Sequence, residues 1–243
     1  MIKYELKRTK RKTIGIQITI EGAVIVTAPY NVSERMIRHV IKEKEAWIRK
    51  KQEDIQKARK QLAGSMEFLK DKLLYLGTTY PVDIVLGAEF YKMTAGLYGE
   101  KIYIMACVFD EIKMKHTLEE WYRIEAKKII EDRVALYQEQ IGVIPNSIRI
   151  KAQKTRWGSA STKGNLNFNW RLIMAPVEII DYVVIHELCH LKEMNHSKAF
   201  WSLVETCDSN YKKHRNWLKE HGALLEASIH NLTLVNPKEK IKE

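Results

Sequence analysis

One stretch constrains this chain more than any other: DYVVIHELCHLKEMNHSKAFW, residues 181–201. Tyr182, Val183, Val184, Ile185, Leu188 and Leu191 make it apolar nearly all round, so as a helix it must be buried. Burial makes an unpartnered carboxylate costly, yet Glu187 stands in the middle of it. His186 and His190 are four residues apart and project from one face, stacked a turn apart. Two imidazoles placed this way reach a single zinc at about 2.0–2.1 Å. Glu187, next to His186, is near enough to touch a metal-activated water without ligating the metal, which is the arrangement of an HExxH hydrolase.

A zinc that keeps one position open needs a third protein ligand. His196 is the best candidate, because a turn after His190 can bring it back to the metal; Glu205, His214 and His221 are rivals on downstream helices. The spacing from His190 to His196 is that of the third histidine of metzincins, but Glu193 stands where those have glycine, so the turn is expected to form without a left-handed residue there. Cys189 faces away from both histidines and is expected to be core packing. Phe200 and Trp201, one turn beyond His196, are expected to pack beneath the metal loop, and Trp157 to lie in the core.

The rest of the chain reads as α+β, a mixed sheet backed by helices. Ile14, Ile16, Ile18 and Ile20 alternate as a strand, Glu21-Gly22 turns it, and AVIVTAP returns, giving an N-terminal β-hairpin. Ser33 caps a following basic helix with Ile37, Val40, Ile41, Trp47 and Ile48 on its apolar face, running to about Lys60, where QLAGSM breaks it as a boundary or a turn. Thr117 and Glu120 suggest a capping box opening a long helix that ends before Gly142. NSIRIKAQ is a strand, KTRWGSASTKGNLNFNW a hairpin turning at Lys163-Gly164, and helices follow over 177–192, 197–207 and 210–227. The expected division is a β-rich region with a basic helix over 1–112, the metal-bearing core over 113–230, and a tail over 231–243.

Composition narrows the function classes. Lys and Arg number 41 against 30 Asp and Glu, a net charge of +11. Residues 1–60 hold 16 of those cations and 7 of the acids, so the basic surplus lies in the N-terminal third, where a weak nucleic-acid contact or a phosphate cradle is conceivable. No zinc-finger, helix-turn-helix or RRM pattern accompanies it. No apolar run is long enough for a membrane span, the N-terminus lacks a signal-peptide core, and the three cysteines form no CxxC pair, so the expected location is a reducing cytoplasm.

The segments KTRWGSAS, NFNWRLIMAP, IDYVVIHELCHLKEMNHSKAFW and YKKHRNWLKEHG together resemble the YgjP-like metal-dependent hydrolases, and more distantly the SprT/Spartan-type and WLM-type proteases. YNVSERMIRHVIKEKEAWIRKK is similar to that family's first helix. The resemblance implies a zincin-like fold, a Zn2+ cofactor held by His186, His190 and His196, and Glu187 as general base. It also implies that Arg156, Trp157 and Gly158 form the family's hairpin beside the catalytic helix. Ala160 replaces the family's usual cysteine, which argues against a thiol role there. As to substrate, the resemblance implies a metallopeptidase acting on a peptide or protein, or alternatively a UTP-type nucleotide pyrophosphatase; a DNA-linked protease is a third reading. Arg156, Lys154 and Asn169 are the candidates for stabilising the developing anion.

Overall fold

The computed structural model describes residues 2–19, 21–153 and 155–239, with Ala58 described by its backbone alone. Ile20 and Lys154, and the end of the tail from 240 on, lie outside the described residues. The chain divides into two units, Met1–Gly64 and Ser65–Glu243.

In the N-terminal unit the expected hairpin forms from β2 (Gly15–Ile18) and β3 (Val24–Pro29), paired antiparallel with Ile16 opposite Val26. A third strand, β1 (Glu5–Thr9), pairs parallel with β3 on its other side. Val24, Val26 and Ala28 are buried together with Ile37, Ile41 and Ile48, and Ile14, Ile16 and Ile18 pack against them. Ser33 caps α1 (Glu34–Glu43), its hydroxyl accepting from the Met36 amide. The helix then breaks at Lys44 before α2 (Glu45–Phe68) begins. Ile48 stays buried in line with Ile37 and Ile41, whereas Trp47, expected on the apolar face, falls to one side of that stripe and is 49% exposed. QLAGSM does not stop α2, which runs through Gly64 to Phe68, but the division between the two units falls inside it, at Gly64–Ser65.

The second unit holds two sheets. One has the order β4-β5-β7-β6, from β4 (Lys72–Tyr75), β5 (Thr78–Leu86), β6 (Thr94–Tyr98) and β7 (Lys101–Ala106). The other has the order β8-β10-β9, from β8 (Ser147–Lys151), β9 (Gly158–Ala160) and β10 (Asn165–Asn169), with the β9–β10 hairpin turning at Gly164, φ +74°. This unit begins well before the boundary expected at 112, because Leu73, Ile102, Ile104 and Ala106 enter the same core as the helices that follow.

The long helix α3 (Glu111–Ile141) starts about two turns earlier than the sequence suggested: Asp110, not Thr117, caps it by accepting from the Lys113 amide. Leu118, Tyr122, Ala126, Ile130 and Val134 line its buried face, and Gly142 ends it. It packs against α4 (Val177–Cys189), which has Ile179, Ile180, Val183, Val184, Ile185 and Leu188 buried. Helices α5 (Lys198–Cys207) and α6 (Tyr211–Asn231) close over α4.

A polar clamp fixes α4 along α3. Arg133 donates through Nε and Nη2 to both carboxylate oxygens of Asp181, at 2.5 and 2.6 Å, and the Tyr137 hydroxyl donates to the same carboxylate at 3.0 Å. Replacing Asp181 by Asn leaves a largely covered guanidinium without its counter-charge. The expected loss is about 2 kcal/mol of unfolding free energy, read by urea denaturation of the two proteins.

Candidate metal centre

The sequence brings three imidazoles to one place by two devices. The first is α4 itself, which carries His186 on its last turn and His190 at its C-terminal cap. The second is the turn after it. The amides of Lys192 and Glu193 both bond back to the Cys189 carbonyl, at 3.1 and 2.9 Å, curling the chain without a left-handed residue at Glu193. Ser197 then caps α5, accepting from the Phe200 amide at 3.1 Å. This returns His196 to the other two, and one ring nitrogen from each of the three histidines lies within 4.8 Å of the others.

The rings are held from behind. Phe200, fully buried, stacks on His190 at 4.4 Å between centroids and meets His186 and His196 edge-on at 5.0 and 4.9 Å. Trp201 stacks on His196 at 5.5 Å. Both aromatics thus lie under the histidine cluster, as their helical spacing suggested. His190 Nδ1 is 3.1 Å from the Glu193 carbonyl, which can only accept, so Nδ1 carries the proton and Nε2 keeps its lone pair.

These residues fit a metal ion. His186 Nε2 and His196 Nε2 stand 3.1 Å apart, and buried His186 Nδ1 has no partner. Burial, with the neighbouring His190 and His196, pushes His186 down to about 3, so its ring is neutral at ordinary pH. Neutral imidazole is the form that ligates. An all-imidazole set of three, leaving room for a further ligand, is chemistry suited to zinc and open to other first-row divalent ions. Cys189 is fully buried with its thiol pushed up to about 12, outside the cluster. The rival ligands are engaged elsewhere: His214 with Asp208 at 2.8 Å, His221 with the Trp217 carbonyl at 3.0 Å, and Glu205 with Lys212 at 3.8 Å.

Glu187 is 5% exposed and lies against β9. Burial raises its carboxyl to about 8, opposed by the Arg156 charge and the Ala160 backbone. Gly158 leaves it space: a Cβ there would come within 2.6 Å of both Glu187 Cγ and Oε1. Two cavities meet at this carboxylate. One, of about 410 Å³, is lined by the three histidines, Glu187, Met194 and the β9 residues Gly158, Ser159 and Ala160. The other, of about 380 Å³, runs from His186 and Glu187 along Tyr182 to Trp157 and α6. Arg156 lines both.

The pH dependence of the metal-free protein follows from these groups. His186 has its folded pKa depressed below 6.5, so its contribution changes only as pH falls below that value. Glu187 has its folded pKa raised, so folding takes up a proton there and stability falls as pH rises from 4.5 through about 8. Between pH 6.5 and 8 Glu187 acts without opposition from His186, and chelator-treated protein is expected to lose about 2 kcal/mol across that window. Glu187→Gln should lack this loss; denaturant unfolding at the two pH values compares them.

Of the proposed anion stabilisers, Arg156 faces the site, but Asn169 does not. Its amide donates to the Gln153 and Arg156 carbonyls at 2.8 and 3.3 Å, and its Oδ1 accepts from the Arg171 amide at 3.2 Å, so it is a buried strut of the hairpin. Trp157 is only partly buried, with its ring against Gly222. Sequence reasoning assigned no role to the missing side chain of Gly158; the glycine beside a motif tryptophan was the available signal.

A family model, YgjP-like metallopeptidase domain, matches residues 12–221. A curated relative, the UTP pyrophosphatase of Escherichia coli (strain K12), is 28% identical over 78 residues, 31% of this chain and 47% of the relative. The chain therefore spans about half the length of that relative. A solved structure, the metallopeptidase zymogen of Pyrococcus abyssi abylysin, is 26% identical, with a TM-score of 0.35, over 37% of this chain and 93% of that one. With the family model covering most of the chain, the protein belongs to the YgjP-like family, through its metallopeptidase domain.

Proposed function

We propose that this chain is a zinc-dependent peptidase in which His186, His190 and His196 hold the metal and Glu187 is the general base. The observation that carries the reading is the convergence of three imidazole nitrogens within 4.8 Å beside a buried carboxylate. When bound, zinc supplies Lewis acidity, bringing the pKa of a water towards about 7 and polarising the oxygen of the bond to be cleaved. Glu187 accepts the proton of the attacking water and returns it to the leaving group. Burial favours its protonated form, so it would hold that proton between the two transfers, while the charge of a bound metal would favour the carboxylate form that the first transfer needs. The Glu193 carbonyl fixes the His190 tautomer, and Phe200 and Trp201 fix the ring planes. Arg156 faces the cavity with its charge towards Glu187 and is proposed to stabilise the developing anion.

The peptide reading is supported by β9. In the sheet order β8-β10-β9 it is an edge strand, and its residues line the cavity with the histidines. An extended peptide can add to such an edge through its main chain. The second reading, a nucleotide pyrophosphatase, is supported by the name of the Escherichia coli relative and by Arg156, a residue suited to phosphate oxygens. A cytoplasmic location belongs to the same proposal. The three cysteines are free thiols, and no described helix is long and apolar enough to cross a membrane.

Zinc-loaded wild type should cleave members of a proteome-derived peptide library. Release of phosphate or pyrophosphate from nucleoside triphosphates, with no peptide cleavage, would replace the first reading by the second. No turnover of either class with zinc bound would remove both.

A further inference from the structure

The second cavity holds more charge than the proposed chemistry uses. Arg215 and Lys219 stand one turn apart on α6 and line it, opposite Arg156. Like charges at this helical spacing repel one another, and a folded protein ordinarily offsets that with nearby acids. Here, among the described residues, no carboxylate lies within 4.0 Å of Arg156, Arg215 or Lys219, whereas Arg123, Arg133 and Lys212 all have one. The only acid lining the cavity is Glu187.

Arg215 is also held in place. Its guanidinium lies 5.2 Å from the centroid of Trp201, and Trp201 stacks on His196 on one hand and on Tyr211 on the other. The positive group is therefore stacked on the same aromatic that supports the histidine cluster. The floor of the cavity is apolar, from Val183, Leu218 and the Trp157 ring. Such a floor lowers the polarity on one side of the cations and strengthens whatever charge pairing they make there.

We propose that Arg156, Arg215 and Lys219 form an anion subsite that binds a phosphate or carboxylate group of the substrate next to the bond that reacts. The term substrate rests on the hydrolase reading above; the binding itself does not. Two sources carry the chemistry: the phosphate chain of a nucleotide, or the terminal carboxylate of a peptide bound close to its C-terminus. Guanidinium groups suit both, through charge-assisted and bidentate hydrogen bonds.

The test is titration calorimetry on the full-length, chelator-treated chain, where neither metal nor turnover enters. Failure here is thus separable from failure of the hydrolase reading. The probes are inorganic tripolyphosphate and an N-acetylated tetrapeptide with a free or an amidated C-terminus. Proteins compared are wild type, Arg215→Gln, Lys219→Gln and the double variant; both positions are exposed on a helix and glutamine is a good helix former. Binding of tripolyphosphate weakened about tenfold by each substitution supports the subsite with a phosphate ligand. Binding of the free-acid peptide over the amide, weakened alike, supports it with a carboxylate ligand. Binding that survives in the double variant belongs to basic surface elsewhere and overturns the proposal, as does binding of neither probe.

Discussion

Glu187→Gln should reduce turnover by about 10³-fold while leaving the zinc content at the wild-type level, since a positioned general base contributes on the order of 10²–10⁴. The substitution keeps the shape that fills the space beside Gly158 and removes only the capacity to accept a proton. Metal analysis and steady-state kinetics on the same preparations read both halves of the result. Loss of zinc in the variant would make Glu187 a ligand. Full activity would leave the buried carboxylate without a catalytic role.

Gly158→Ala tests the position of that carboxylate rather than its chemistry. The new Cβ would meet Glu187 Cγ and Oε1 at 2.6 Å and Cδ at 2.9 Å. These atoms belong to a side chain that can swing away, so the protein is expected to fold. The base, however, is expected to be displaced by a distance comparable to the overlap, and a misplacement of about 1 Å can reduce a rate by about 10²-fold. Zinc content should be unchanged, because the three atoms nearest the added methyl all belong to Glu187 and none to a histidine. In a Glu187→Gln background the alanine should cost nothing further, since residues acting through one group are not additive. An equal further loss in that background would place the effect of Gly158 elsewhere.

How much of this was legible in the sequence depends on whether the cause was local. The spacing of His186, Glu187 and His190 in an apolar segment is a local property of one helix, and the structure puts His186 and Glu187 on the last turn of α4 and His190 at its C-terminal cap. The hairpins at Gly22 and Gly164 were local too. β1 was not: Glu-Leu-Lys-Arg-Thr shows little alternation, and what makes it a strand is its parallel pairing to β3. The start of α3 was misread because its first turn carries a single buried side chain, Met114, among solvated ones, with Ile112 83% exposed, so the apolar period is weak there. At the site, the fit of Gly158 against Glu187 joins β9 to α4, and the cavity facing Arg215 joins α6 to the hairpin. Only the tertiary fold creates such neighbours. Asn169 was assigned to the site because its residue type suits anions, whereas burial and capping of the following turn use up its amide.

X-ray absorption of the zinc-loaded full-length protein tests the central claim most directly, since it reports the donor atoms themselves. The account predicts three imidazole nitrogens at about 2.0–2.1 Å with one oxygen completing the shell, and one imidazole fewer in His196→Ala. A sulfur at about 2.3 Å, or a shell unchanged by that substitution, would contradict it.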